Sequence, residues 1–101
     1  MFRFLPAAAA FATLVAVPAF AQTPAYRAMP VTPMAAEKTI IVAEAIWKCG
    51  PAGCTSTGVT ARPAIACALM AREIGKIDSF AVGPNLLDAA ALAKCNVKAK
   101  A

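Results

Sequence analysis

The sequence predicts a small α+β domain held together by disulfides, with the element order strand, strand, helix, strand, helix. Three observations support this fold class. Four cysteines, Cys49, Cys54, Cys67 and Cys95, follow an N-terminal stretch that has the pattern of an export signal. Runs of β-branched and aromatic residues are followed by alanine-rich runs with helical spacing. The foldable part has about 60 residues, a size at which burial of apolar surface alone gives only marginal stability.

Residues 1–21 are predicted to be a signal peptide. Arg3 is the only charged residue among them, and residues 4–17 are apolar or small. Ala19 and Ala21 supply the small side chains that signal peptidase accepts, so we expect cleavage after Ala21.

A retained membrane anchor is the alternative interpretation of this stretch. Pro6 and Pro18 interrupt it, however, and a span needs about 20 apolar residues. Cleavage is therefore favoured, and no second apolar span follows in the sequence. The predicted location is the periplasm, an oxidising compartment in which cysteines form disulfides.

The rest of the chain divides into three predicted parts: a proline-rich N-terminal arm at 22–37, the disulfide-stabilised domain at 38–97 and a basic C-terminal tail at 98–101. The arm contains three prolines and little periodicity, which favours an extended or poorly ordered segment.

A hairpin opens the predicted domain. Residues 39–49 are rich in β-branched and aromatic side chains, which favours one strand, with Glu44 and Lys48 on its outer face. The inner face of this strand would carry Ile41, Ala43, Ala45, Trp47 and Cys49. Residues 50–53, Gly-Pro-Ala-Gly, are typical of a turn, and residues 54–59 can return as the second strand.

A helix is predicted to begin at Arg62-Pro63, because proline is tolerated in the first turn. Its apolar stripe comprises Ile65, Ala66, Leu69, Met70 and Ile74. Gly75 is suited to end it.

A strand at 77–82 and a second helix at about 86–94 complete the predicted order. Gly83-Pro84 separates the two elements. Asn85 is predicted to cap the helix, and Asp88, three residues later, would complete a capping box.

The four cysteines allow three disulfide pairings. The sequence favours Cys49–Cys54, because these residues would flank a hairpin loop, together with Cys67–Cys95. A thiol–disulfide exchange protein that uses Cys49 and Cys54 is an alternative, although such proteins usually have two intervening residues at a helix start. A zinc site of four thiolates is another, but the intervals of four, twelve and twenty-seven intervening residues do not form paired knuckles.

Catalysis is not predicted, and neither is a cofactor or a metal site. The chain has no histidine, which removes the commonest general base. No glycine-rich phosphate loop follows a strand. The carboxylates form no suggestive pair; they are Glu37, Glu44, Glu73, Asp78 and Asp88.

Positive charge is the remaining functional signal. Without Arg3, nine basic residues stand against five acidic ones, or +4. Lys94, Lys98 and Lys100 are close together near the C-terminus and favour either an anionic partner in the cell envelope or a solvated tail. Nucleic acid is not an expected partner of an exported protein. Trp47 is predicted to lie in the core rather than in a recognition site.

These residues also resemble a family of short exported proteins of unknown function from alphaproteobacteria, each with four cysteines. The resemblance covers residues 39–96 and excludes the arm. It is carried by Trp47-Lys48-Cys49, Cys54, Arg62-Pro63, Cys67, Gly75, Ser79-Phe80 and Leu92-Ala93-Lys94-Cys95-Asn96. It implies a periplasmic four-cysteine domain and supplies no activity or site.

Overall fold

The computed structural model describes residues 25–101. These residues fold into an antiparallel sheet of six strands with two helices packed on one of its faces. The strands are β1 Tyr26–Pro30, β2 Lys38–Val42, β3 Ala45–Gly50, β4 Gly53–Ser56, β5 Ile77–Val82 and β6 Asn85–Leu86; the helices are α1 Pro63–Ile74 and α2 Ala89–Cys95, and a 3-10 turn follows at Asn96–Lys98. The spatial order of the strands is β2-β3-β4-β1-β5-β6. The predicted α+β fold class is confirmed, whereas the predicted signal peptide at 1–21 lies outside the described residues.

Strand β1 lies within the proline-rich segment 22–37 and occupies the middle of the sheet, between β4 and β5. This differs from the expectation of a poorly ordered arm. Alternate β1 side chains are buried, as in a strand with one covered face. Pro30 is compatible with the strand because it is the last residue, at the point where the register with β5 shifts.

The prediction of one strand over 39–49 is wrong, because the chain reverses at Ala43 and Glu44. These two residues join β2 to β3 and have φ angles of 55° and 60°. Asn-Gly pairs usually supply that left-handed backbone in two-residue hairpins, and Ala43-Glu44 carries no such turn signal. The reversal places Ile41 on the uncovered face, where it is 73% exposed, although Trp47 faces inward as predicted.

The second hairpin, between β3 and β4, is tighter than predicted. Gly50 pairs with Gly53, so Pro51 and Ala52 alone form the loop. Gly53 has a φ of 109°, and a Cβ atom there would collide with the side chain of Met29 on neighbouring β1. A glycine is therefore required where β4 passes β1.

Helix α1 and strand β5 have the predicted bounds, but the predicted apolar stripe of α1 is only partly right, because Ile65 is 53% exposed while Ala66 and Met70 are buried. The helix begins at Pro63, and the N–H of Gly75, with a φ of 107°, donates to the carbonyl oxygen of Ala71 at 3.0 Å. Strand β5 spans the predicted residues, Ile77–Val82.

The start of α2 differs from its prediction. Asn85 belongs to β6, where it pairs with Val82, so the predicted Asn85 cap is wrong. Asp88 itself caps the helix, and its side chain accepts a hydrogen bond from the N–H of Ala91 at 2.8 Å. The residues from Gly83 to Asn85 reverse the chain into a short strand before the cap is reached, so α2 is shorter than expected.

The core lies between the sheet and the helices. Its largest fully buried side chains are Trp47, Phe80, Met70 and Ile77. The ring of Tyr26 meets Phe80 edge to face at 5.9 Å between centroids, and its hydroxyl donates to the carbonyl oxygen of Ala61 at 2.8 Å. β1 and the loop before α1 are thereby tied to the same cluster.

Candidate functional site

The bridge between Cys49 and Cys54 joins residues that stand directly opposite each other on β3 and β4. Their Cα atoms are 3.9 Å apart. Both side chains point to the covered face of the sheet and are only 3% and 1% exposed. A thiol–disulfide exchange protein needs a sulfur that a partner's thiolate can reach, and these sulfurs are inside the core.

The bridge between Cys67 and Cys95 joins the middle of α1 to the last residue of α2, with a Cα–Cα distance of 5.6 Å. Both cysteines are buried. Together the two bridges are the pairing that the sequence favoured, and no free cysteine is found in the described residues. A zinc site of four thiolates does not fit this arrangement, because every sulfur is covalently paired.

Three of the carboxylates lie on different elements of the described part of the chain. Glu44 lies in the β2–β3 turn, Asp88 caps α2, and Glu73 is exposed in the last turn of α1. Between residues 25 and 101 no group of three or more histidine, cysteine or acidic side chains is placed to hold a metal ion.

Trp47 lies in the core, as the sequence favoured. Its ring is completely buried, and its indole N–H donates to the carbonyl oxygen of Val42 at 3.2 Å. The ring is 6.5 Å from Tyr26 and 6.2 Å from Phe80, centroid to centroid. It therefore stabilises the β2–β3 hairpin from the inside rather than recognising a ligand.

Arg62 occupies the position before α1. Its backbone is extended, its carbonyl oxygen accepts from the N–H of Ala66 at 2.8 Å, and its side chain makes no capping hydrogen bond. The Arg62-Pro63 step thus serves as the predicted helix entry.

Positive side chains meet where α1, α2 and the 3-10 turn all end. A cleft of about 360 Å³ there, which we call the basic cleft, is lined by Ala68, Arg72, Lys94, Cys95, Val97 and Lys98. The sequence grouped Lys94 and Lys98 with Lys100; in the cleft their partner is Arg72 instead. Arg72 was missed as a member because it is distant in sequence, and only the Cys67–Cys95 bridge hints that its helix lies beside α2.

Asn96 has a structural role that the sequence did not predict, although the residue belongs to the Leu92–Asn96 motif of the resemblance. Its side-chain oxygen accepts from the N–H of Ile77, and its side-chain nitrogen donates to the carbonyl oxygen of Ile77, both at 2.8 Å. The residue therefore fixes the end of α2 to the start of β5. Its position directly after Cys95, at a helix end, was the one available signal.

The C-terminal residues pack against the end of α1. The N–H of Lys100 donates to the carbonyl oxygen of Ala71 at 2.9 Å, and the N–H of Ala99 donates to that of Asn96 at 3.1 Å. The backbone of the basic segment 98–101 is therefore attached to the domain, while the side chains of Lys98 and Lys100 remain exposed.

None of the helices between residues 25 and 101 is long and apolar enough to cross a membrane.

Comparison with known proteins gives one match. Searches of curated proteins and of solved structures find no significant similarity. A family model described as a family of unknown function, DUF8200, matches residues 9–97. The match includes β1 and the segment before it, so the similarity extends further towards the N-terminus than the resemblance over residues 39–96. Since the model covers most of the sequence, the chain belongs to the DUF8200 family of unknown function.

Proposed function

We propose that this chain is an exported, disulfide-stabilised binding module of the periplasm or cell envelope, and that it acts without catalysis. The export part of the proposal rests on the sequence of residues 1–21, with its single arginine, apolar run and small residues at positions 19 and 21. Two disulfides are in keeping with an oxidising compartment.

The burial of all four cysteines is the observation that carries the proposal. Each bridge belongs to the core, with side chains between 0% and 4% exposed. Redox chemistry at these sulfurs would require the core to open first. The cysteines therefore serve as scaffold, and the surface side chains are left to make the functional contacts.

Surface chemistry favours an anionic partner. Five of the basic residues lie at or near the ends of α1, α2 and the 3-10 turn: Arg72, Lys76, Lys94, Lys98 and Lys100. Such a concentration of positive charge attracts anionic components of the envelope and makes binding dependent on salt.

The test is a combined localisation and redox measurement on the full-length chain expressed in a bacterial host. We expect the protein in the periplasmic fraction, beginning at Gln22, with all four cysteines protected from alkylation. Peptide mapping without reductant should give the two observed bridges. Mild dithiothreitol should leave the bridges intact, and full reduction under denaturing conditions should prevent refolding.

Two results would contradict the proposal. One is a cytoplasmic protein with free thiols that keeps its fold. The other is a Cys49–Cys54 bridge that mild dithiol reduces while the rest of the domain stays folded, because that behaviour is typical of an exchange protein.

A further inference from the structure

We propose that the basic cleft binds a phosphorylated ligand. Its three cations come from three different elements: Arg72 from the last turn of α1, Lys94 from the last turn of α2 and Lys98 from the 3-10 turn. None of the residues that line the cleft carries a carboxylate. The cleft is thus a place where positive charge from distant parts of the sequence converges and where no lining residue is acidic.

Compensation of helix dipoles does not account for all of this charge. Cations in a last turn do stabilise helix ends, but a helix end carries only about half an elementary charge. At the end of α1, the carbonyl oxygen of Ala71 already accepts hydrogen bonds from the N–H groups of Gly75 and Lys100. Three full charges around one cleft therefore leave a positive excess that an anion can neutralise.

The walls of the cleft are held in place before any ligand arrives. One wall belongs to α1 and the other to the α2 end and the 3-10 turn, and the Cys67–Cys95 bridge joins them directly. The backbone bond from Lys100 to Ala71 and the two side-chain bonds from Asn96 to Ile77 fix the second wall from either side. The backbone of both walls is therefore preformed, so that binding has to order only the exposed side chains of Arg72, Lys94 and Lys98.

The chemistry of the lining residues selects phosphate on an organic group. The guanidinium of Arg72 can bond two oxygens of one phosphate, and the two lysines add point charges, which suits a dianion better than a single carboxylate. Ala68 and Val97 add apolar surface, and Val97 is 74% exposed. That surface fits the organic part of a phosphoester.

A second cleft provides a contrast. It also measures about 360 Å³ and lies beside the β3–β4 hairpin, where Lys38 and Lys48 contribute charge. Glu37 lines the same cleft and offsets part of that charge. The basic cleft is therefore the stronger candidate for an anion.

The inference rests on the proposed binding function and deepens it by naming the ligand class. The test uses the oxidised protein isolated from the periplasm, with inorganic phosphate as the probe at an ionic strength of about 0.1 M, where exposed charges more than about 10 Å apart are largely screened. Titration followed by backbone amide NMR should give saturable shifts at Ala68, Arg72, Lys94 and Lys98. The double variant Arg72→Gln/Lys98→Gln should bind phosphate at least about tenfold more weakly.

The matched control is Arg27→Gln/Lys48→Gln, on the opposite, uncovered face of the sheet. It removes the same two kinds of charge, and all four positions are exposed, so both variants should fold like the parent. We expect the control to bind phosphate with an affinity within about twofold of the parent's, because salt screens the attraction between a phosphate in the basic cleft and distant cations. Equal losses in the two variants, or no saturable binding by the parent, would overturn the proposal.

Vesicles then distinguish the source of the phosphate. The probes are vesicles of equal parts phosphatidylcholine and phosphatidylglycerol, with pure phosphatidylcholine as the neutral control. Co-sedimentation that Arg72→Gln/Lys98→Gln abolishes would assign the cleft to a lipid headgroup, whereas phosphate binding without vesicle binding would assign it to a soluble phosphorylated molecule. A protein that is periplasmic and oxidised but binds neither probe refutes only this inference, whereas a reduced cytoplasmic protein refutes the proposed function itself.

Discussion

The two disulfides of this domain are alike in burial but differ in what they hold together. Cys49 and Cys54 are 5 residues apart and already face each other across the β3–β4 ladder. Cys67 and Cys95 are 28 residues apart and connect two helices whose approach depends on the whole fold. The first bridge holds together two strands that the backbone pairing of the hairpin already holds together. The second bridge holds α1 against α2, and the geometry of the basic cleft depends on it.

The largest predicted effect is obtained by removing each disulfide in turn and comparing the losses of stability. Cys67→Ala/Cys95→Ala should lower the free energy of unfolding by about 3.6 kcal/mol and Cys49→Ala/Cys54→Ala by about 2 kcal/mol, because the longer loop restricts the unfolded chain more. Urea unfolding of the two double variants measures both values. The comparison fails if loss of the hairpin bridge costs as much as loss of the helix bridge. A Cys67→Ala/Cys95→Ala protein that does not fold at all agrees with the predicted order, provided that the other variant folds.

The next effect concerns the hydrogen bonds that support the helix bridge. Asn96→Ala should cost about 2 kcal/mol, because it leaves both the N–H and the carbonyl oxygen of the buried Ile77 without their partner. Thermal or urea unfolding gives the magnitude, and hydrogen exchange at the Ile77 amide gives the location. Asn85→Ala, at an exposed site in β6, is the matched control and should change stability by less than about 0.5 kcal/mol. Equal effects of the two substitutions would show that the hydrogen bonds between Asn96 and Ile77 contribute nothing to stability.

The smallest effect concerns the hairpin that has no disulfide. Ala43→Asn/Glu44→Gly should stabilise the protein by about 1 kcal/mol, because Asn and Gly adopt the left-handed backbone of this turn more readily than Ala and Glu. Urea unfolding measures the gain. Ala52→Asn, in the other hairpin loop, is the control and should bring no gain, since Ala52 does not have a positive φ. Stabilisation by the control alone would mean that the β2–β3 turn is not strained.

What the sequence predicted well depended on strong local signals. Pro63 and Gly75 delimit α1, and the ends of β5 follow from the glycine at either side of it. The favoured cysteine pairing rested on one short interval, since Cys49 and Cys54 flank a predicted hairpin loop, although the sequence left the other two pairings open.

What the sequence did not predict depended on weak or competing signals. Ala43 and Glu44 turn the chain although neither residue favours a turn, because pairing of β2 with β3 and burial of Trp47 outweigh the local backbone cost. In β1 the alternation of buried and exposed residues was present, but the surrounding prolines suggested an arm instead.

The sequence predicted only part of the basic cleft. Lys94 and Lys98 were identified from their proximity along the chain. Arg72 joins them through tertiary packing, because the apolar stripe predicted for α1 does not specify how α1 and α2 pack against each other. Lys100 was grouped with them by sequence, yet it is the backbone of Lys100 that has a definite structural role.

The central position of β1 sets the order in which the domain can be assembled. Tyr26 pairs with Ser56 on one side and with Val82 on the other, so β1, the first strand of the described residues, has neighbours that are synthesised much later. During synthesis or translocation, β1 emerges before β4 and β5, and both of its edges are paired only after β5 has emerged. Contacts between residues so far apart in sequence slow folding and prolong the time for which strand edges are exposed. β1 is therefore a strand whose edges stay unpaired for a long part of the assembly of the domain.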